Sequence, residues 1–170
     1  MLKPSSFAIF INDYFKDISL NILDCGCGNG RDTYFLGKKN NIVGIDISNK
    51  PENKKNVSFT VGDFCKYKKN NYDLIYSRFT FHSITNEQQE EFIKSIDKDS
   101  YLCIETRSDK SSQINKIYGD THYRNYTNKN YLENILKKYN FKILYIEEDK
   151  GFAKYKDEDP ICIRLISKKK

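Results

Sequence analysis

Nothing in the chain approaches the ~20 consecutive apolar residues that a membrane helix needs, so no membrane span is expected. The opening residues, Met1-Leu2-Lys3-Pro4-Ser5-Ser6, lack the apolar stretch of a signal peptide, which points to a cytoplasmic protein. No collagen period and no low-complexity tract occurs. Apolar residues make up only 38% of the chain, but they fall in compact runs, which argues against disorder. With 170 residues there is no room for two ordinary domains, so a single domain over 1–170 is expected. The five cysteines are an odd number, and four lie in apolar runs, which excludes a secreted disulfide scaffold. Cys25-Gly26-Cys27 is spaced too tightly for a zinc pair and has no second pair, so no metal site is expected. Arginine is the other scarcity: the net charge of +6 rests on 29 basic residues, of which only Arg31, Arg78, Arg107, Arg124 and Arg164 are arginine. The lysines are scattered, as on a solvated surface, and no basic helix or zinc finger suggests nucleic acid as a partner.

What is present reads as alternating strands and helices. Apolar residues at 7, 10, 11, 14, 15 and 18 have helical spacing, and Ser5 or Ser6 can cap that helix. Strands are expected at 21–24, 42–47, 57–61, 72–76 and 101–105, and helices at 31–39 and 87–96. The segment 107–126 is long, polar and without period. A helix over 127–139 follows, and then strands at 141–146 and 160–167 with only a turn-rich connection between them. Strands alternating with helices argue for a doubly wound α/β fold with a mostly parallel sheet. The last two strands, lacking a crossover helix, should form an antiparallel hairpin at one edge. A short polar stretch, 48–56, stands where a helix between the second and third strands is otherwise expected.

The strongest local signal is Asp24-Cys25-Gly26-Cys27-Gly28-Asn29-Gly30, at the first strand-to-helix turn. Glycines there permit positive φ and close approach of a ligand to the backbone, and the helix that follows offers free N–H groups. Asp46 ends the next strand and can accept hydrogen bonds from ribose hydroxyls. Asp24, two positions before the first glycine, could bind an amino group, and Asp63 after the third strand could accept from an adenine amino group. The spacing is Gly-x-Gly-x-Gly, which departs from the Gly-x-Gly-x-x-Gly of dinucleotide binders.

These residues resemble the class I S-adenosylmethionine-dependent methyltransferases, and the resemblance covers nearly the whole chain. It implies a seven-stranded Rossmann-like sheet and S-adenosylmethionine as cofactor. Asp24 would then lie near the methionine amino end, with Gly26, Cys27 and Gly28 under the methionine part. Asp46 would hold the ribose, Asp63 and Phe64 would flank the adenine, and Ser77 would lie near the transferred methyl. Arg31 and Ile47 would border the cofactor. Residues 1–20, with Ser6 and Phe7, look like an N-terminal lid over it.

The loops beyond the fourth and fifth strands carry Arg78, His82, Glu105 and Arg107, and the 107–126 segment adds His122, Tyr123 and Arg124. Three of the five arginines and both histidines therefore gather at one edge of the sheet. The guanidinium fork binds phosphate or carboxylate in two-point contact, so Arg78, Arg107, Tyr123 and Arg124 are expected to bind a small anionic acceptor. Methyl transfer mainly needs positioning. Where the acceptor holds a proton, His122 is the first candidate base and His82 the second, with Glu105 orienting either. The pattern is similar to small bacterial methyltransferases found with surface-polysaccharide genes, including those that make the O-methyl phosphoramidate of certain capsules. O-methylation of a phosphate- or phosphoramidate-like metabolite by a monomer or homodimer is the resulting expectation. The alternatives are a nucleic-acid methyltransferase, which lacks its Asn-Pro-Pro-Tyr-type motif here, and a nicotinamide-dependent reductase, which lacks the glycine spacing and a Tyr-x-x-x-Lys pair.

Overall fold

The computed structural model describes residues 2–48, 50–111 and 123–170. Seven strands form one sheet in the order β3-β2-β1-β4-β5-β7-β6. In chain order these are β1 (Asn21–Cys25), β2 (Asn41–Asp46), β3 (Val57–Val61), β4 (Leu74–Arg78), β5 (Tyr101–Arg107), β6 (Phe141–Asp149) and β7 (Cys162–Lys169). Strands β1 to β5 pair in parallel, and β7 runs antiparallel to both β5 and β6. The fold class is the expected one, with one refinement: the final hairpin is not wholly at the edge. β7 is inserted between β5 and β6, and its six buried residues in a row suit an interior strand covered on both faces. β6 alternates between exposed and covered positions, as an edge strand does.

Among the described residues the α-helices are α1 (Ser6–Tyr14), α2 (Arg31–Leu36), α3 (Asn86–Lys94) and α4 (Lys129–Lys138). Each is shorter than the sequence predicts, and side chains cap one or both ends. Ser5 caps α1 by accepting from the Ala8 N–H. The Asn40 side-chain amide donates to the Leu36 carbonyl and closes α2. Thr85 and Gln88 form a reciprocal capping box at α3. Asn128 caps α4, and Asn140 ends it in the left-handed region at φ 62°.

The helices cover both faces of the sheet. Phe7, Ala8 and Ile11 of α1 and Leu36 of α2 pack on one face, against Ile22, Leu74 and Tyr76. Phe92 and Ile93 of α3 and Leu132 and Leu136 of α4 pack on the other, against Ile75, Leu102 and Ile104. Each such side chain, fully buried, contributes about 1.5–3 kcal/mol over leaving it exposed. Among the described residues no helix covers the connection from β2 to β3, which agrees with the polar stretch there. The chain goes from β1 outward to β2 and β3, then returns to place β4 on the other side of β1. The crevice beyond β1 and β4 is therefore the switch point, where ligands bind in sheets of this kind.

Candidate active site

A cavity of about 170 Å³ opens at that switch point. Its walls come from Asp24 at the end of β1, the loop Gly26–Asn29, Arg31 and Asp32 at the start of α2, and Tyr76 and Arg78 of β4. The loop is shaped by backbone bonds: the Gly26 and Cys27 N–H groups both donate to the Ile45 carbonyl, at 2.8 and 3.1 Å. Gly26 must be glycine, because its φ is 76° and a Cβ there would lie 2.2 Å from the Thr80 methyl. Gly28 differs. Its φ is 54°, but a Cβ would meet nothing within 4 Å, so this glycine keeps open the space above the loop. Its N–H donates to Asp46 Oδ2 at 3.0 Å, which ties the loop to the end of β2.

The electrostatics of the walls are mixed. Asp24 is buried and accepts from the Thr33 hydroxyl at 2.6 Å. Burial pushes its pKa up to about 7, against the pull of the Thr33 bond, and the charges of Asp32 and Asp46 add to the rise. Asp32, which the sequence reading passed over, is the hub of the site. It accepts from the Ser5 N–H (2.8 Å), the Ser5 hydroxyl (2.6 Å) and the Tyr76 hydroxyl (2.8 Å). Arg31 Nε lies 3.4 Å from its Oδ1, the oxygen that takes the Ser5 N–H. Two carboxylates and two guanidiniums thus surround one cavity, which suits a ligand end carrying both an ammonium and a carboxylate. Burial raises the Tyr76 hydroxyl well above its usual range, so it stays protonated and keeps its donation to Asp32. Cys27 is likewise held as a thiol, its pKa pushed up to about 12 by burial.

Beyond the loop, Asp46 is half-buried and also accepts from the Ser48 N–H (3.0 Å) and hydroxyl (3.2 Å). Ile47 is 76% exposed and Val61, opposite Asp46 at the end of β3, is 55% exposed. Both are apolar side chains left uncovered next to Asp46, whose carboxylate holds the glycine loop. Val61 escaped the sequence reading because nothing in its strand marks it as uncovered. Asp63 is engaged locally, accepting from the Cys65 N–H at 2.9 Å, and Phe64 packs edge-on to Phe92 at 5.8 Å.

Several expected roles meet a different geometry. Ser77 is fully buried, and its hydroxyl bonds the Thr80 hydroxyl instead of facing the cavity. Phe7 is fully buried against Tyr76, with ring centroids 5.2 Å apart, so it is a core residue of α1. Ser6 accepts from Arg164 Nη2 at 2.7 Å and donates to the Phe152 carbonyl, away from the glycine loop. Glu105 is held by two arginines: its Oε1 takes Arg78 Nε at 2.9 Å and its Oε2 takes Arg164 Nε at 2.6 Å. Burial pushes its carboxyl up and the two guanidiniums pull against it. Arg164, absent from the expected cluster, is its second partner.

His82 is buried in the short turn Phe81–Ser83, with Nδ1 3.4 Å from both the Arg107 N–H and the Thr106 hydroxyl. Burial, with the charges of Arg107 and Arg124, lowers its pKa to about 3. It is a neutral packing residue here, remote from the role of a base near neutral pH. Arg107 pairs with Glu158 at 3.2 Å. Tyr123 is 57% exposed and Arg124 is exposed. His122 and most of the polar segment lie outside the described residues. Phe79, which the sequence did not single out, stands between the arginines: the Arg78 guanidinium lies 4.3 Å and that of Arg107 5.7 Å from its ring centroid. Phe79 also holds φ 57°, a conformation that costs a bulky residue about 1 kcal/mol or more.

Among the described residues no group of three or more His, Cys, Asp and Glu could hold a metal ion, and no helix is long and apolar enough to cross a membrane.

A family model described as "Methyltransferase domain" matches residues 7–146. No curated protein matches the chain. Among solved structures, TehB from Haemophilus influenzae aligns with a TM-score of 0.71 and 18% identity; it covers 96% of this chain, which spans 61% of it. An S-adenosylmethionine-dependent methyltransferase from Clostridium acetobutylicum gives 0.72 and 17%, over 96% of this chain and 91% of its own. The 1,6-didemethyltoxoflavin-N1-methyltransferase of Burkholderia thailandensis, solved with its substrate and S-adenosylhomocysteine, gives 0.70 and 12%, over 96% and 77%.

Proposed function

The chain belongs to the methyltransferase-domain family, and from that premise we propose that it transfers a methyl group from S-adenosylmethionine to an oxygen of a small anionic acceptor. The observation that carries the cofactor reading is the switch-point cavity, where Gly28 leaves open space and two carboxylates and two guanidiniums line the wall. When bound, S-adenosylmethionine supplies a methyl on a sulfonium, which an oxygen lone pair takes as the S–C bond breaks to a neutral thioether. Asp24 and Asp32 face its ammonium and Arg31 its carboxylate. Asp46 accepts from the ribose, and Ile47 and Val61 hold the adenine between them, with Asp63 and Phe64 at its rim.

For the acceptor, Arg78 is the central residue. It lines the cavity, while its Nε is fixed by Glu105, so its terminal nitrogens are presented on a rigid arm. Arg107 and Phe79 stand beside it, and Arg124 and Tyr123 complete the edge. An ionised phosphate- or phosphoramidate-type oxygen has no proton to lose, so positioning suffices and no base is required. That fits a site whose described histidine is neutral and buried; His122 takes the base role for a protonated acceptor. A precursor of a capsule or other surface glycan is the class of acceptor that the resemblance supports.

The test is calorimetry with S-adenosylhomocysteine. Binding is expected, and Asp46→Ala should weaken it tenfold or more, roughly 1.4 kcal/mol or above. No binding by the unaltered protein would overturn the cofactor reading. Arg78→Ala should abolish transfer to phosphate-type acceptors, followed by mass spectrometry, while S-adenosylhomocysteine still binds.

A further inference from the structure

A second groove, of about 320 Å³, lies on the outer side of α2, between the N-terminal residues and the loop before β3. Arg31, Tyr34 and Phe35 are spaced three and four apart on α2, so they share one helical face, Lys38 follows just past the helix end, and all four line the groove. The groove exists because the β2–β3 connection carries no helix to cover that face. Its chemistry is divided. The floor is apolar, with Tyr34, Phe35 and Val57, and Leu2 and Pro4 wall one side. The charged lining is cationic throughout: Arg31 at one end, Lys38 at the other, Lys54 and Lys55 along the rim, and no acid.

The floor is preformed. The Tyr34 hydroxyl donates to the Glu52 carbonyl at 2.6 Å, and its ring meets Phe59 edge-on at 5.3 Å. The Lys54 ammonium sits 4.5 Å above the Tyr34 ring and that of Lys38 5.6 Å from Phe35, so the charges are held over the apolar floor. A concave apolar site of about 300 Å³ with a few fixed polar groups is of ligand-binding size.

We propose that this groove binds a free single-chain amphipathic anion, its tail on Tyr34, Phe35 and Val57 and its head against Lys54 and Lys55. Charge complementarity selects the anion: Lys38, Lys54 and Lys55 line the groove with no acid in the lining, and Arg31, which also meets Asp32, stands at one end. A groove of about 320 Å³ is short for the several successive nucleotides that a single-strand site spans. A membrane surface is disfavoured because Leu2, at 56%, is the one lining residue among the large exposed hydrophobics, and the floor is recessed. The site is separate from the methyl-donor cavity, with Arg31 the residue common to both.

Isothermal titration of decanoate into the full chain, with decanol as the neutral control, tests this. Decanoate should bind one to one, and decanol at least tenfold more weakly. Charge reversal by Lys54→Glu with Lys55→Glu, whose side chains are exposed and whose fold is checked by circular dichroism, should weaken decanoate tenfold or more. Leu2→Ser, at an exposed position, should weaken it severalfold. Equal binding of decanol, or decanoate binding unchanged in the charge-reversed protein, would overturn the proposal. So would co-sedimentation with phosphatidylglycerol vesicles in the absence of decanoate binding.

Discussion

Asp24 and His82 should oppose one another in the stability of the protein against pH. Both are buried, at 2% exposure each, and burial acts on them in opposite senses. Asp24 is raised from 3.8 to about 7, so the folded state holds its proton over a range where the unfolded chain has lost it. Stability from this group is full below the unfolded value and falls as pH rises toward about 7. His82 is lowered from 6.5 to about 3, so the unfolded chain takes up a proton that the folded state refuses. Stability from this group is full above the unfolded value and falls as pH drops toward about 3. Between about pH 4.5 and about pH 6.5 the folded state carries one extra proton on Asp24 and one fewer on His82, and the two slopes nearly cancel.

Removing either group exposes the other. Each full proton of difference is worth about 1.4 kcal/mol per pH unit. Over that two-unit window Asp24→Asn should therefore gain about 2 kcal/mol relative to the unaltered protein as pH rises. His82→Gln should lose about 2 kcal/mol over the same rise. Both substitutions keep a hydrogen-bond acceptor for the partner, Thr33 in one case and the Arg107 N–H in the other. Urea unfolding of the three proteins at the two pH values measures the differences, and background carboxylates cancel in the comparison. Shifts of the same sign in both variants, or none, would refute the raised carboxyl of Asp24 and the lowered imidazole of His82.

Glu105→Gln should lower stability by about 3–5 kcal/mol, because it leaves Arg78 and Arg164 without a counter-charge; thermal unfolding checks this, and a loss below about 1 kcal/mol would mean that solvent already screens the pairs. Gly26→Ala and Gly28→Ala should separate stability from binding. The first drives a methyl into Thr80 and should destabilise the fold, whereas the second meets open space and pays only about 1 kcal/mol of backbone strain. Gly28→Ala should instead weaken S-adenosylhomocysteine, measured by calorimetry; equal losses of stability in the two variants would contradict the open cradle.

The features legible in the sequence are those written in local pattern. The alternation of strands and helices led to the doubly wound sheet, and Asp24-x-Gly-x-Gly-x-Gly sits at the switch point where its chemistry is needed. Helix ends were less legible, because each depends on one capping side chain, such as Asn40 reaching the Leu36 carbonyl. The acceptor edge was harder still, because its order is set by pairings between residues far apart in the chain. Arg164 comes 59 positions after Glu105, yet the antiparallel register sets them opposite one another and gives Glu105 its second guanidinium. That pairing turns an acid expected to serve histidines into the post that fixes Arg78. Asp32 escaped notice for the same reason: its partners Ser5 and Tyr76 come from 27 and 44 residues away. Ser5 and Ser6 then acquire a joint meaning that neither has alone. Ser5 bonds Asp32 at the glycine-loop cavity and Ser6 bonds Arg164, the partner of Glu105, so one peptide step at the start of α1 ties the proposed donor and acceptor halves of the site together.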